Sequence, residues 1–224
     1  VGVIGRTGSG KSTLVNVLLR LVDPINGEVL IDGKPLKSLH LDDYRKQIGC
    51  VPQDVFLFSD TIKENIAFGL EGKVEENAVE EAARAAVVYD NIVQFPLKFD
   101  TMVGERGITL SGGQKQRVSI ARAIIRNPDV LIFDDCLSAV DTITEEKILS
   151  NLTNIMKGKT SVLVSHRVAT VKACSRILVL EEGRLAEEGT HESLLARNGL
   201  YRQLFELQLK ENKTSMANGV DVEK

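Results

Sequence analysis

The sequence predicts an α/β fold: a parallel sheet with helices between its strands and a helical insertion over 61–126. Three observations lead there. Short, nearly continuous apolar runs recur at Val1–Ile4, Val130–Phe133, Thr160–Val164 and Arg176–Leu180, as strands buried on both faces require. Helical stretches at Thr144–Ile155 and Val168–Ala173 separate the later runs. A glycine-rich loop also stands between the first strand and a helix, which is the context that turns a phosphate-loop pattern into a site.

Taken in order, Val1-Gly2-Val3-Ile4 is the first buried strand and Thr13–Leu21 continues a helix. Between them Gly5-Arg6-Thr7-Gly8-Ser9-Gly10-Lys11-Ser12 fits G-x-x-x-x-G-K-[ST] without mismatch. Its glycines let the backbone wrap a phosphate so that several N–H groups point inward at a helix start, with Thr13 next in line. Lys11 supplies a positive charge near β- and γ-phosphates, and the Ser12 hydroxyl can ligate Mg²⁺. These residues imply binding of a nucleoside triphosphate.

Gly27–Gly33 reads as a short strand ending in a turn, and Gln47–Val51 as another closed by Pro52. From Thr61 the character changes. Glu75–Val88, rich in alanine and glutamate, predicts a helix; a loop over Pro96–Leu110 follows, then a helix over Ser111–Ile125. This divides the chain into a core of 1–60 and 127–190, a helical subdomain of 61–126 and C-terminal helices over 191–209. The polar tail, 210–224, predicts disorder.

Composition narrows the function classes. The 224 residues suit one domain with a subdomain, and 43% hydrophobic content suffices for a core. A net charge of −3 gives no reason to expect nucleic acid as a partner. Cys50, Cys136 and Cys174 are sparse and odd in number, which suits reduced thiols in the cytosol rather than a disulfide framework. His40, His166 and His191 do not cluster with them, which argues against zinc. No apolar run is long enough to span a bilayer. The chain opens directly on a core strand, so further sequence is expected upstream.

Two more segments carry chemistry. Val130–Phe133 runs into Asp134 and Asp135, and a first acid at such a strand end helps hold Mg²⁺ in phosphate-loop ATPases. Leu110-Ser111-Gly112-Gly113-Gln114 opens the second long helix as another anion site, with Ser111 as cap and two glycines allowing close backbone approach.

With these motifs in hand, residues 1–208 resemble the nucleotide-binding domain of an ATP-binding cassette (ABC) transporter, built on the RecA-like P-loop NTPase core with a small antiparallel β portion. Gly5–Ser12 matches Walker A and Leu110–Gln114 matches the signature unchanged. Asp134 matches the Walker B aspartate, Gln53 the Q-loop glutamine that senses Mg²⁺ and the attacking water, Ser138-Ala139-Val140-Asp141 the D-loop, and His166 the switch histidine. Met102–Gly107, Thr61–Ile66 and Gly189–Glu192 are similar to exporter segments, the first being the loop that touches transmembrane helices.

The resemblance implies ATP and Mg²⁺ as cofactors, with Ser12, Gln53 and Asp134 at the metal and Asp135, His166 and Gln53 at the attacking water. It implies a second nucleotide-binding domain as partner, whose nucleotide meets Ser111–Gln114 of this chain, and a transmembrane domain on the same polypeptide. The expected place is the cytoplasmic face of the membrane. The family's adenine-stacking aromatic would lie upstream of Val1. Asp135 stands where the family carries glutamate; one methylene less sets the carboxylate back by roughly 1 Å, a displacement that can cost about 10²-fold in rate. This pattern is similar to the weaker half of a bacterial heterodimeric multidrug-type exporter. Three readings follow: an exporter motor, a regulatory ATP-binding half, and a soluble relative in translation or DNA repair. The exporter-like loop and the lack of long coiled-coil segments argue against the last. His40 and His191 are read as structural.

Overall fold

The computed structural model describes residues 1–70, 72, 74–104 and 109–218. In chain order the elements are β1 (Gly2–Gly5), α1 (Lys11–Leu18), β2 (Leu30–Ile31), β3 (Lys34–Pro35), α2 (Leu41–Lys46) and β4 (Ile48–Val51). The inserted helices α3 (Ile62–Ala67), α4 (Glu76–Ala85), α5 (Tyr89–Ile92) and α6 (Gly112–Ile125) follow. Then come β5 (Val130–Asp134), α7 (Thr142–Ile155), β6 (Thr160–Ser165) and α8 (Val168–Val171). The chain continues through β7 (Ile177–Glu181), β8 (Arg184–Gly189), α9 (His191–Ala196) and α10 (Leu200–Asn218). The α/β class with an inserted helical segment is as the sequence predicts. The chain divides into two compact units, Val1–Leu18 with Val162–Lys224, and Leu19–Ser161.

In the first unit β1 is the central strand. It pairs in parallel with β6, Ile4 opposite Ser165, and with β7, Gly5 opposite Leu180. All four of its residues are buried, which is why its sequence is apolar without alternation. α8 covers it so closely that a Cβ on Gly2 would stand 2.8 Å from the Val171 Cβ. β8 closes the edge antiparallel to β7, turning at Glu182-Gly183, both at positive φ as a two-residue hairpin requires. No strand is predicted over 184–189, because Arg-Leu-Ala-Glu-Glu-Gly is largely polar, and only pairing with β7 makes it a strand. Its Glu187 carboxylate accepts from the backbone N–H groups of Leu200 and Tyr201, which starts α10.

α10 runs through Asn218 and so takes in 210–218 of the polar tail. Residues 219–224 of that expected tail lie outside the described residues.

In the second unit β4 and β5 run parallel, Val51 opposite Phe133. β2 and β3 form a hairpin through Asp32-Gly33, so the strand read at Gly27–Gly33 is reduced to two residues. The core is built on α6, whose Val118, Ile120 and Ala121 have no exposed surface, together with Ile62, Ile66 and Ala83 of α3 and α4. Arg122 fastens this helix to the chain leaving β4: Nε and Nη2 donate to the backbone and side-chain oxygens of Asn65 at 2.7 and 2.8 Å, and Nη1 to Phe56 O at 2.9 Å. Asn65, almost fully buried, in turn receives the Phe58 N–H and donates to Phe58 O and Thr61 O.

Candidate nucleotide-binding site

The glycine loop occupies the carboxyl end of β1, where parallel α/β sheets place ligands. Gly8 and Gly10 hold φ of +80° and +97°, a conformation that tips successive N–H groups to one side. The Ser9 N–H bonds Arg6 O at 3.1 Å and closes the loop, and the Gly183 N–H of the β7–β8 turn bonds Ser9 O at 3.2 Å. Lys11 Nζ donates back to Gly5 O and Arg6 O at 2.8 and 3.0 Å, so the ammonium is held within the loop. Ser12 and Thr13 lie exposed on the first turn of α1. The Ser9 hydroxyl is buried without a hydrogen-bond partner. Left-handed glycines, a helix start, a fixed lysine and an orphaned hydroxyl together fit a polyphosphate.

His166 follows β6 directly. Because β6 lies parallel to β1, the histidine and the glycine loop leave the sheet at the same end. It is exposed, and its carbonyl accepts from Gln208 Nε2 at 2.6 Å while Gln208 Oε1 accepts from the Val168 N–H at 2.8 Å. Gln208 on α10 therefore braces the backbone beside His166. The sequence reading passed over it, since a lone glutamine on a C-terminal helix carries no motif.

In the second unit, Gln53 and Asp134 lie at the carboxyl ends of β4 and β5, two strands paired in parallel. Gln53 is exposed just past Pro52, whereas Asp134 is buried. Burial, reinforced by the negative charge of Asp134, pushes the Cys50 thiol up to about 11. Burial likewise raises the Cys136 thiol, so both cysteines stay protonated at neutral pH. Asp135 is half-buried with φ +48°, a left-handed conformation that aspartate tolerates better than most residues.

Ser111 caps α6 in a full capping box: its Oγ accepts from the Gln114 N–H at 3.2 Å, and Gln114 Oε1 accepts from the Ser111 N–H at 2.9 Å. Gly112 and Gly113 lie within the helix. Arg117 donates to Gly113 O at 3.1 Å and to Asn91 Oδ1 at 2.9 Å and also bonds Val87 O. Its guanidinium is shifted down by burial and supported by the charge of Asp141. Asp141 caps α7 through the Thr144 N–H at 2.9 Å, and that bond holds its carboxyl below the usual range. Of the exporter-like loop Met102–Gly107, residues 105–107 lie outside the described residues; Met102 pairs with Thr61 in an isolated bridge.

Comparison with known proteins decides the family. The family model described as ABC transporter matches residues 1–138. The chain belongs to the ABC transporter family. It is 46% identical over 213 residues to the ATP-dependent lipid A-core flippase of Syntrophus aciditrophicus (strain SB), covering 95% of this chain and 35% of that protein. It is 44% identical over 212 residues to the ATM1-type heavy metal exporter of Novosphingobium aromaticivorans, with the same coverage of each chain. A solved structure of a bacterial Atm1-family ABC exporter with ATP bound superposes with a TM-score of 0.89 at 44% identity, covering 93% of this chain and 36% of that one. The chain thus spans about a third of the length of these relatives. It is an ATP-binding, ATP-hydrolysing nucleotide-binding domain of that family. Among the described residues no helix is long and apolar enough to cross a membrane.

Proposed function

We propose that this ABC domain is the motor of a membrane exporter, pairing with a second nucleotide-binding domain around ATP and separating after hydrolysis. The glycine loop with its fixed Lys11 carries the reading. Its inward-facing N–H groups and Lys11 would hold the β- and γ-phosphates, and Ser12, Gln53 and Asp134 would hold Mg²⁺. The metal would supply neutralisation of phosphate charge. Asp135 would orient the attacking water or accept its proton, assisted by His166 and Gln53. Ser111–Gln114 would complete the partner's site. A transmembrane domain on the same polypeptide would make its contact at the groove of about 370 Å³ lined by Val55, Phe56, Leu57, Val103, Gly104 and Lys115, beside exposed aromatic Phe56 and Phe58. The domain would then work on the cytoplasmic face of the membrane.

The test is ATP-dependent transport by the full-length protein in proteoliposomes. Lys11→Ala should abolish both ATP turnover and transport. Transport that persists without ATP turnover would overturn the motor reading.

Asp135 favours a second reading, that this chain is the slower, regulatory half of a heterodimeric exporter of multidrug type. Its carboxylate stops short of the water while its signature serves a faster partner site. Co-purification of the natural transporter decides this: a different second subunit, with glutamate after its Walker B aspartate, is the expected result.

A further inference from the structure

Gln116 lies two residues beyond the signature, on the inner face of α6, with 6% of its surface exposed. A buried amide must satisfy both of its ends. Gln116 does so on a single segment far away in sequence: Oε1 accepts from the Ala139 N–H at 3.1 Å, and Nε2 donates to Ser138 Oγ at 3.3 Å. Those are the first two residues of the D-loop. The backbones approach at the same place. A Cβ on Gly113 would stand 2.9 Å from Ala139 O, and one on Gly112 would stand 3.5 Å from the Ala139 Cβ.

The surroundings fix the two ends of this contact. On the signature side, the capping box and Arg117 hold the first turn of α6. On the D-loop side, Asp141 caps α7 two residues beyond Ala139. Gln116 spans the interval, and Gly113 removes the atom that would wedge it open.

We propose that Gln116 is a positioning residue that locks the D-loop to the signature turn, so that both reach the partner's nucleotide as one body. The inference rests on the ATP-driven pairing proposed above. It assigns Gly113 of the signature a role within this chain, making room for the Ala139 carbonyl, beside any role toward the partner's phosphate.

The experiment uses the full transporter with Gln116→Met and Gln116→Glu. Methionine keeps length and packing but cannot accept from the Ala139 N–H, whereas glutamate can still accept from both Ala139 N–H and the Ser138 hydroxyl. In Gln116→Met, hydrogen exchange at the Ala139 amide should accelerate by about tenfold, as loss of one hydrogen bond implies. The same variant should lose about tenfold in kcat for ATP. ATP affinity of the resting transporter should be unchanged, and Gln116→Glu should recover both losses. Turnover at the wild-type rate in Gln116→Met despite fast exchange at Ala139 would overturn the proposal. So would equal loss in both variants with a shared fall in melting temperature, since that shows packing alone. A full transporter otherwise wild type whose turnover is indifferent to Lys11→Ala would instead remove the ATP-driven motor reading, and this proposal with it.

Discussion

In the loop of residues 5–12, Gly8 and Gly10 adopt left-handed backbone, whereas Gly112 and Gly113 of the signature lie inside a helix. Both segments open a helix and both read as anion sites in the sequence, yet they use glycine for different physical ends. In the first, positive φ at Gly8 and Gly10 shapes a loop made from consecutive residues. In the second, glycine clears space for a carbonyl some 26 residues downstream, the contact of Gly113 with Ala139. The first site is a property of a local loop; the second depends on how α6 sits against the chain between β5 and α7. Close resemblance in composition therefore hides a difference between conformation and clearance.

The largest expected effect breaks this comparison on the side of the glycine loop. Lys11→Ala removes a charge held by two carbonyls within the loop, and MgATP affinity should fall by roughly 10- to 10²-fold in calorimetry. Equal affinity in both proteins would mean the loop does not bind the phosphates.

Asp135 comes next. If it is the water-orienting carboxylate of a slower site, Asp135→Glu should raise hydrolysis at this site by about tenfold or more, and Asp135→Asn should lower turnover of the full transporter only modestly. Near-complete loss in Asp135→Asn would point instead to a symmetric pair in which aspartate is the working base.

Gly113→Ala sharpens the contrast itself. Its new methyl group meets the Ala139 carbonyl at 2.9 Å, so ATP-driven pairing and turnover should fall by about tenfold while ATP binding by the single chain stays intact. A loss of single-chain ATP affinity in light-scattering-controlled titrations would place the signature at this chain's own nucleotide and dissolve the distinction.

The smallest effect concerns the cap of α7. The carboxyl of Asp141 lies below its ordinary 3.8 because it accepts the Thr144 N–H. Its stabilising charge is therefore present above that value and fades as pH falls through the lower folded value. Asp141→Ala should reduce the melting temperature by a few degrees at most at neutral pH, with the gap to wild type closing in strong acid. A gap that persists unchanged to low pH would show that the aspartate acts by packing rather than by charge.

Strands such as Val1–Ile4 and Val130–Phe133 were legible from residue type alone because burial on both faces writes itself as a continuous apolar run. The glycine loop and the cap at Ser111 were legible for a related reason: every group that forms them lies within a few residues along the chain. β8 was not, since Arg184–Gly189 is polar and becomes a strand only by pairing with β7.

What the sequence by itself determined is the set of local devices: the alternation of buried strands and helices, the glycine loop before α1, the capped signature helix and the paired acids at the end of β5. What only the tertiary structure decided is which distant residues hold those devices in place: Gln208 beside His166, Arg122 between α6 and Asn65, and Gln116 between the signature and Ala139. The physical reason is range. Backbone conformation and burial pattern act over a few residues and leave a readable period, whereas a single side-chain amide bridging 23 residues leaves no pattern until the chain has folded around it.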